Sequence, residues 1–209
     1  MAIKDFSQLS DMHIDVLREI GNIGAGNAAT SLAQMLNRQI DMKTPVVRIM
    51  DISEVDKAMG GPETPVVAIL VEIFGDIHGI MMFVVGHQFA QNLLGTLLGE
   101  EKEKVDCMHL NEMEQSALSE IGNIMIGAYV NAIASLANLN INISVPAVTA
   151  DMVGSLLTVP AAEMGAVSDK IIFVEDDFQN ANGVITANMM LIPSLDSLNT
   201  LMNGLGITL

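Results

Sequence analysis

The feature that most constrains this chain is that it repeats itself, because a repeat dictates the architecture before any single element is assigned. Set at a constant offset of 101 without a gap, residues 15–47 (DVLREIGNIGAGNAATSLAQMLNRQIDMKTPVV) and 116–148 (SALSEIGNIMIGAYVNAIASLANLNINISVPAV) share about twelve identities. Both copies read Glu-Ile-Gly-Asn-Ile, then share Gly26 and Gly127, Asn37 and Asn138, Ile40 and Ile141, Pro45 and Pro146. Past a small change of length the similarity resumes, pairing Phe74 and Gly79 with Phe178 and Gly183. Each half therefore reads as one structural unit, about 11–99 and 112–204, within a single domain of 209 residues.

Within a unit, residues 11–37 and 112–138 carry apolar side chains at spacings of three and four, the signature of a long helix, with Asp11 as its expected N-cap. Residues 39–50 and 140–152, rich in Ile and Val and broken by Pro, read as strands. A hairpin is expected from 66–74 and 79–85, and its copy from 170–175 and 183–192 around a polar Gln-Asn-Ala-Asn turn. Shorter helices follow at 88–98 and 194–203, and the charged stretch 100–106 joins the halves. The expected fold is α+β: two helix–strand–hairpin–helix repeats related by a pseudo-twofold axis, sharing one β-sheet flanked by helices.

Charge narrows the function. Twenty-five acidic residues against nine Lys and Arg give a net charge of −16, a field that repels phosphate backbones and anionic lipid heads. Nucleic acid and membrane insertion are therefore not expected. The uncharged run 121–150 is long enough to cross a bilayer, but it holds five Asn, whose burial in lipid without partners costs several kcal/mol each, so it reads as a packed helix followed by a strand. The single Cys107 cannot form an internal disulfide and the first residues do not resemble a secretory signal, so a cytoplasmic location is expected. The sixteen Met are expected to fill core gaps left by a chain with three per cent aromatic residues.

On each long helix four residues fall at spacings of four, three and four: Asp15, Glu19, Asn22 and Gly26, then Ser116, Glu120, Asn123 and Gly127. They form one stripe, displaced from the apolar face, that displays a carboxylate beside a carboxamide with a glycine just beyond. A single such pair is usually a solvated helix face. Two helices that both keep Asn and mid-helix Gly, each poor for helix stability, are keeping them for a reason, since neighbouring solvent positions diverged (Arg18/Ser119, Asn27/Ala128, Thr30/Asn131).

The doubled pattern, [D/S]-x-x-x-E-x-x-N-x-x-x-G at a separation of about a hundred residues, resembles the CheC branch of the CheC/CheX/FliY family of chemotaxis phosphatases, over nearly the whole chain. Two copies separate it from CheX, and the absence of a flagellar-switch domain separates it from FliY. The resemblance implies hydrolysis of the aspartyl phosphate of the response regulator CheY, with Glu19, Asn22, Glu120 and Asn123 as catalytic residues supported by Asp15, Gly26, Ser116 and Gly127. It implies binding of the receptor deamidase CheD, and the alternative that the chain is a non-catalytic adaptor that docks the regulator and sequesters CheD. No metal or cofactor of its own is expected; Mg²⁺ comes with the regulator. A monomer is expected. Asp151, the first charge after thirty uncharged residues, is set down as a partner-contact position.

Other signals weigh little. Gly24-Ala-Gly26 imitates a dinucleotide fingerprint but lies inside a helix. His13, His78, His87 and His109 lack ligand spacing, and Cys107, beside acidic residues that should raise its pKa, reads as inert. Glu175-Asp176-Asp177 reads as a solvated turn.

Overall fold

A computed structural model describes residues 9–99, 106–164, 170–180 and 183–207. The first eight residues, most of the 100–106 linker and the tip of the second hairpin lie outside them. In chain order the elements are α1 (Asp11–Leu36), β1 (Asp41–Met42), β2 (Val46–Asp51), α2 (Ile52–Ala58), β3 (Pro65–Gly75), β4 (Gly79–Gly86) and α3 (His87–Leu98). The second repeat follows with α4 (Glu112–Ala137), β5 (Ile141–Ile143), β6 (Ala147–Met152), α5 (Val153–Leu156), α6 (Thr158–Met164), β7 (Lys170–Asn180), β8 (Gly183–Pro193) and α7 (Leu195–Gly204).

The expected α+β fold, with one sheet between helices, is what forms. Among the described residues eight strands make a single sheet in which β4 and β8 pair antiparallel at the centre, Met82 opposite Met190. Hairpin partners β3 and β7 lie outside them. The outermost strands are exchanged: β2 of the first repeat pairs with β7 of the second, and β6 of the second with β3 of the first. Neither half is thus a closed unit, because each leaves its own hairpin edge to be covered by the other.

Helices cover both faces. On one, α1, α4, α3 and α7 bury Leu17, Leu32, Ile121, Met125, Leu94 and Leu198 against Ile69, Val71, Phe83 and Met189. On the other, Val55 of α2 with Val153 and Leu156 of α5 covers Val66, Met82, Phe173 and Met190. The three short helices α2, α5 and α6 are missing from the sequence reading, since each is shorter than the apolar period needs to show itself.

The repeated residues explain the repeated geometry. Asn37 and Asn138 end the long helices in the left-handed region (φ 48° and 53°), a conformation Asn tolerates better than most side chains. Pro45 and Pro146 interrupt the following strand, which is why 39–50 and 140–152 each split in two. Gly21 and Gly122 let their helices touch the sheet: a Cβ on Gly21 would lie 2.8 Å from Val47 Cγ2, and one on Gly122 would collide with Ile69. Those contacts are counterparts, for Val47 pairs with Val174 and Ile69 with Val148.

Three expectations shift locally. Ser10, not Asp11, precedes α1 as its cap, with its N–H donating to His13 Nδ1 at 3.1 Å. Strand β7 runs on to Asn180, so Asp176 and Asp177 are strand residues and not a solvated turn. Phe74 and Phe178, paired by sequence, face opposite ways: Phe74 is 45% exposed while Phe178 is buried under the long helices. A one-residue slip between the repeats turns a side chain to the other face of a sheet.

Candidate functional site

On α1 the buried residues Leu17, Ile20, Gly21, Gly24, Ala28 and Leu32 form one face, and Asp15, Glu19 and Asn22 stand exposed on the opposite one. Gly26 is half-buried at its end. Helix α4 does the same, with Leu118, Ile121, Gly122, Met125 and Ile133 inward and Ser116, Glu120 and Asn123 outward, Gly127 again half-buried. Because the two long helices pack directly on each other and on the same sheet face, the chain presents two similar polar faces to solvent.

Inside each face the local partners differ. Arg18 Nη1 donates to Asp15 Oδ1 at 2.5 Å on α1; the corresponding residues of α4, Ser119 and Ser116, form no ion pair. Glu19, Asn22, Glu120 and Asn123 have no side-chain partner among the described residues. The two glycines beyond them are not required by packing either. A Cβ at Gly127 would meet nothing within 4 Å, and at Gly26 only Met42 Sδ at 3.9 Å, an ordinary contact.

The other residues singled out by sequence lie apart from these faces. Asp151 sits at the end of β6 and caps the turn into α5, accepting from Met152 N–H at 2.7 Å and Ser155 Oγ at 2.6 Å. Those bonds hold its carboxyl below its ordinary pKa, the serine bond contributing most. Cys107 is buried, with its thiol pushed up to about 11, first by burial and only then by Glu114 and Asp106. Gly24 is no phosphate cradle: a Cβ there would lie 2.5 Å from the ring of Tyr129, across the α1–α4 contact. Among the described residues no three His, Cys, Asp or Glu side chains gather as a metal site. The uncharged run 121–150 divides between α4, β5 and β6. Helix α4 is long and apolar enough to cross a bilayer, but 56% of its most apolar window is buried inside this fold.

One buried pair was not read from sequence. Tyr129, the only tyrosine, donates its hydroxyl to Asp176 Oδ2 at 2.5 Å, while Asp176 Oδ1 has no partner among the described residues. Burial pushes the Asp176 carboxyl up to about 7, against the lowering effect of the tyrosine bond. The Tyr129 hydroxyl is likewise pushed up, by burial and by the adjacent carboxylate. A lone tyrosine in a charge-free run, standing where the first repeat has Ala28, was the available signal, because a buried phenol needs an acceptor.

Comparison with known proteins places this geometry. The sequence profile of the CheC-like family matches residues 12–49 and 113–149, the two long helices and the strands after them. A Bacillus subtilis protein named CheY-P phosphatase CheC is 34% identical over 206 residues, 98% of this chain and 99% of that one. The flagellar motor switch phosphatase FliY of the same organism is 33% identical over 146 residues, 70% of this chain but 38% of that one. The crystal structure of Thermotoga maritima FliY, 24% identical, shares the fold with a TM-score of 0.74 over 95% of this chain and 98% of that one. With two matching helix–strand segments and a relative aligned from end to end, the chain belongs to the CheC-like family.

Proposed function

We propose that this chain is a hydrolase that removes the phosphoryl group from the aspartyl phosphate of the response regulator CheY, working from two faces, one on α1 and one on α4. One observation carries the reading. The fold accounts for most of the repeated residues, as core (Leu17/Leu118, Ile20/Ile121), sheet contact (Gly21/Gly122), helix end (Asn37/Asn138) and strand break (Pro45/Pro146). Among the residues of the stripes it leaves Glu19/Glu120 and Asn22/Asn123, which are exposed, and Gly26/Gly127, where packing does not require a glycine. The names of the relatives, CheY-P phosphatase CheC and flagellar motor switch phosphatase FliY, support the same reading.

The chemistry suits these side chains. Aspartyl phosphate hydrolysis needs a water held in line with the breaking P–O bond while negative charge spreads over the equatorial oxygens, so much of the catalysis is positioning. The carboxamide oxygen of Asn22 or Asn123 accepts a hydrogen bond from that water and aims it. Glu19 or Glu120 pairs with the lysine beside the regulator's phosphorylated aspartate and fixes the register of docking. Gly26 or Gly127 leaves room for the partner's backbone. Mg²⁺ is supplied by the regulator's own acidic pocket. The chain acts in the cytoplasm as a monomer and binds CheD on another surface, of which Asp151 is part.

Excess phosphorylated CheY, followed with and without this protein, tests the proposal. A phosphatase clears many equivalents of regulator and is stopped by chelating Mg²⁺ without a fall in its own melting temperature. An adaptor leaves the decay unchanged or slows it.

A further inference from the structure

Among the described residues three methionines are exposed, Met152 at 40% and, well beyond it, Met12 at 64% and Met113 at 66%; these last two stand at the same place in the two repeats, 101 residues apart. Each lies at the start of its long helix, three residues before Asp15 or Ser116 and seven before Glu19 or Glu120. Seven residues are close to two helical turns, so each Met stands on the flank of its Glu, about 10 Å along the axis. Half-buried Val16 and Ile23 continue that flank on α1, and Ala117 and Ile124 on α4. Neither Met belongs to a buried cluster. Between them and the stripes the neighbours diverged, His13 against Glu114 and Ile14 against Gln115, while the exposed thioether did not.

Resting on the reading of the stripes as regulator-docking faces, we propose that Met12 and Met113 are apolar anchors for the same phosphorylated regulator, seated on an apolar patch of it that adjoins its active-site lysine. Carboxylate, carboxamide and glycine fix register but bury little apolar area, and specific protein interfaces take most of their affinity from a few buried apolar or aromatic side chains. The anchor lies outside the phosphate pocket, so it contributes equally to the bound ground state and the transition state. It therefore lowers KM and leaves kcat alone. A flexible thioether also tolerates two repeats that dock one partner on slightly different surroundings.

The test is Met12→Ala with Met113→Ala in the full chain. Turnover of phosphorylated CheY is measured together with direct titration against CheY held active by beryllium fluoride and Mg²⁺. Losing one partly buried Met per face raises KM and Kd about tenfold with kcat within about twofold and the melting temperature unchanged, and Leu at both positions restores affinity. An unchanged Kd overturns the proposal, as does a loss confined to kcat, or a loss of self-association in place of regulator affinity. If wild-type protein binds the activated regulator without hydrolysing it, the catalytic reading fails and the titration still decides the anchor. If wild-type protein does not bind it at all, both fall.

Discussion

The outward faces of α1 and α4 are two versions of one device, and their differences separate what the device needs from what the fold happens to supply. Shared are Glu, Asn and Gly at the same spacing. Each helix starts with a capping box, but the residues are not shared: on α4 Asn111 Oδ1 accepts from the N–H groups of Met113 and Glu114, while Glu114 Oε2 accepts from Asn111 N–H. On α1 the box is built from Ser10 and His13, and His13 Nε2 is buried with no partner among the described residues. The Asp15–Arg18 ion pair of α1 becomes two serines on α4, and the helix contact inverts, with Gly24 on one side receiving Tyr129 from the other. Several packing and capping residues differ between the repeats together with their partners, Gly24 with Tyr129 and Ser10 with His13 among them. The outward Glu and Asn, with no partner among the described residues, are the same in both.

Charge reversal gives the largest expected contrast with neutral changes on the same faces. Glu19→Lys and Glu120→Lys each weaken regulator binding roughly tenfold, and both together more, because a favourable pairing becomes repulsion. The wild-type affinity falls as salt rises, since exposed charges are screened. Titration at two ionic strengths checks this; affinity indifferent to charge or salt removes the role given to the glutamates.

Alanine at the four repeated glycines should split in sign. Gly122→Ala pushes a methyl into Ile69 and Gly21→Ala one into Val47, so thermal unfolding shows a loss of about 1–3 kcal/mol, larger at Gly122, where three Ile69 atoms are crowded at once. Gly26→Ala and Gly127→Ala meet open or ordinary contacts and gain helix propensity, so they stabilise by up to about 1 kcal/mol while weakening regulator docking.

A pH titration sharpens the asymmetry of the buried contact. Asp176 has its folded pKa near 7 against an ordinary value of 3.8, so the folded state holds the proton longer than the unfolded one. Stability from this group is therefore complete below about pH 4 and declines as pH rises to about 7, at no more than about 1.4 kcal/mol per pH unit. Asp176→Asn flattens that slope in denaturant titrations at pH 5 and pH 8. Tyr129→Phe leaves the carboxylate without its donor and steepens the loss on the alkaline side.

Smallest is the exchange of Arg18 and Ser119. Arg18→Ser with Ser119→Arg moves an exposed ion-pair donor from one face to the other and changes KM by less than about threefold, the range of a surface salt bridge. A larger change would make Arg18 part of the docking chemistry.

How much could be read without coordinates follows from where each signal is written. The long helices, the hairpins, the single sheet and the two outward stripes are written in spacing, and the repeat writes them twice. The strand exchange is not, because β2 and β6 have the same pattern whichever hairpin edge they cover. Asp176 looked like part of a solvated acidic turn because its partner Tyr129 is 47 residues away on another element. Met12 and Met113 were lost among sixteen methionines expected to be core, since exposure is not visible in residue type.

Whether the two carboxamides aim water or merely dock the regulator is decided by single-turnover decay of phosphorylated CheY with saturating Asn22→Ala/Asn123→Ala protein. Binding to the beryllium-fluoride form stays within about threefold of wild type while the decay rate falls on the order of a hundredfold, toward that of the regulator alone. Wild-type decay in the doubly substituted protein would contradict the account.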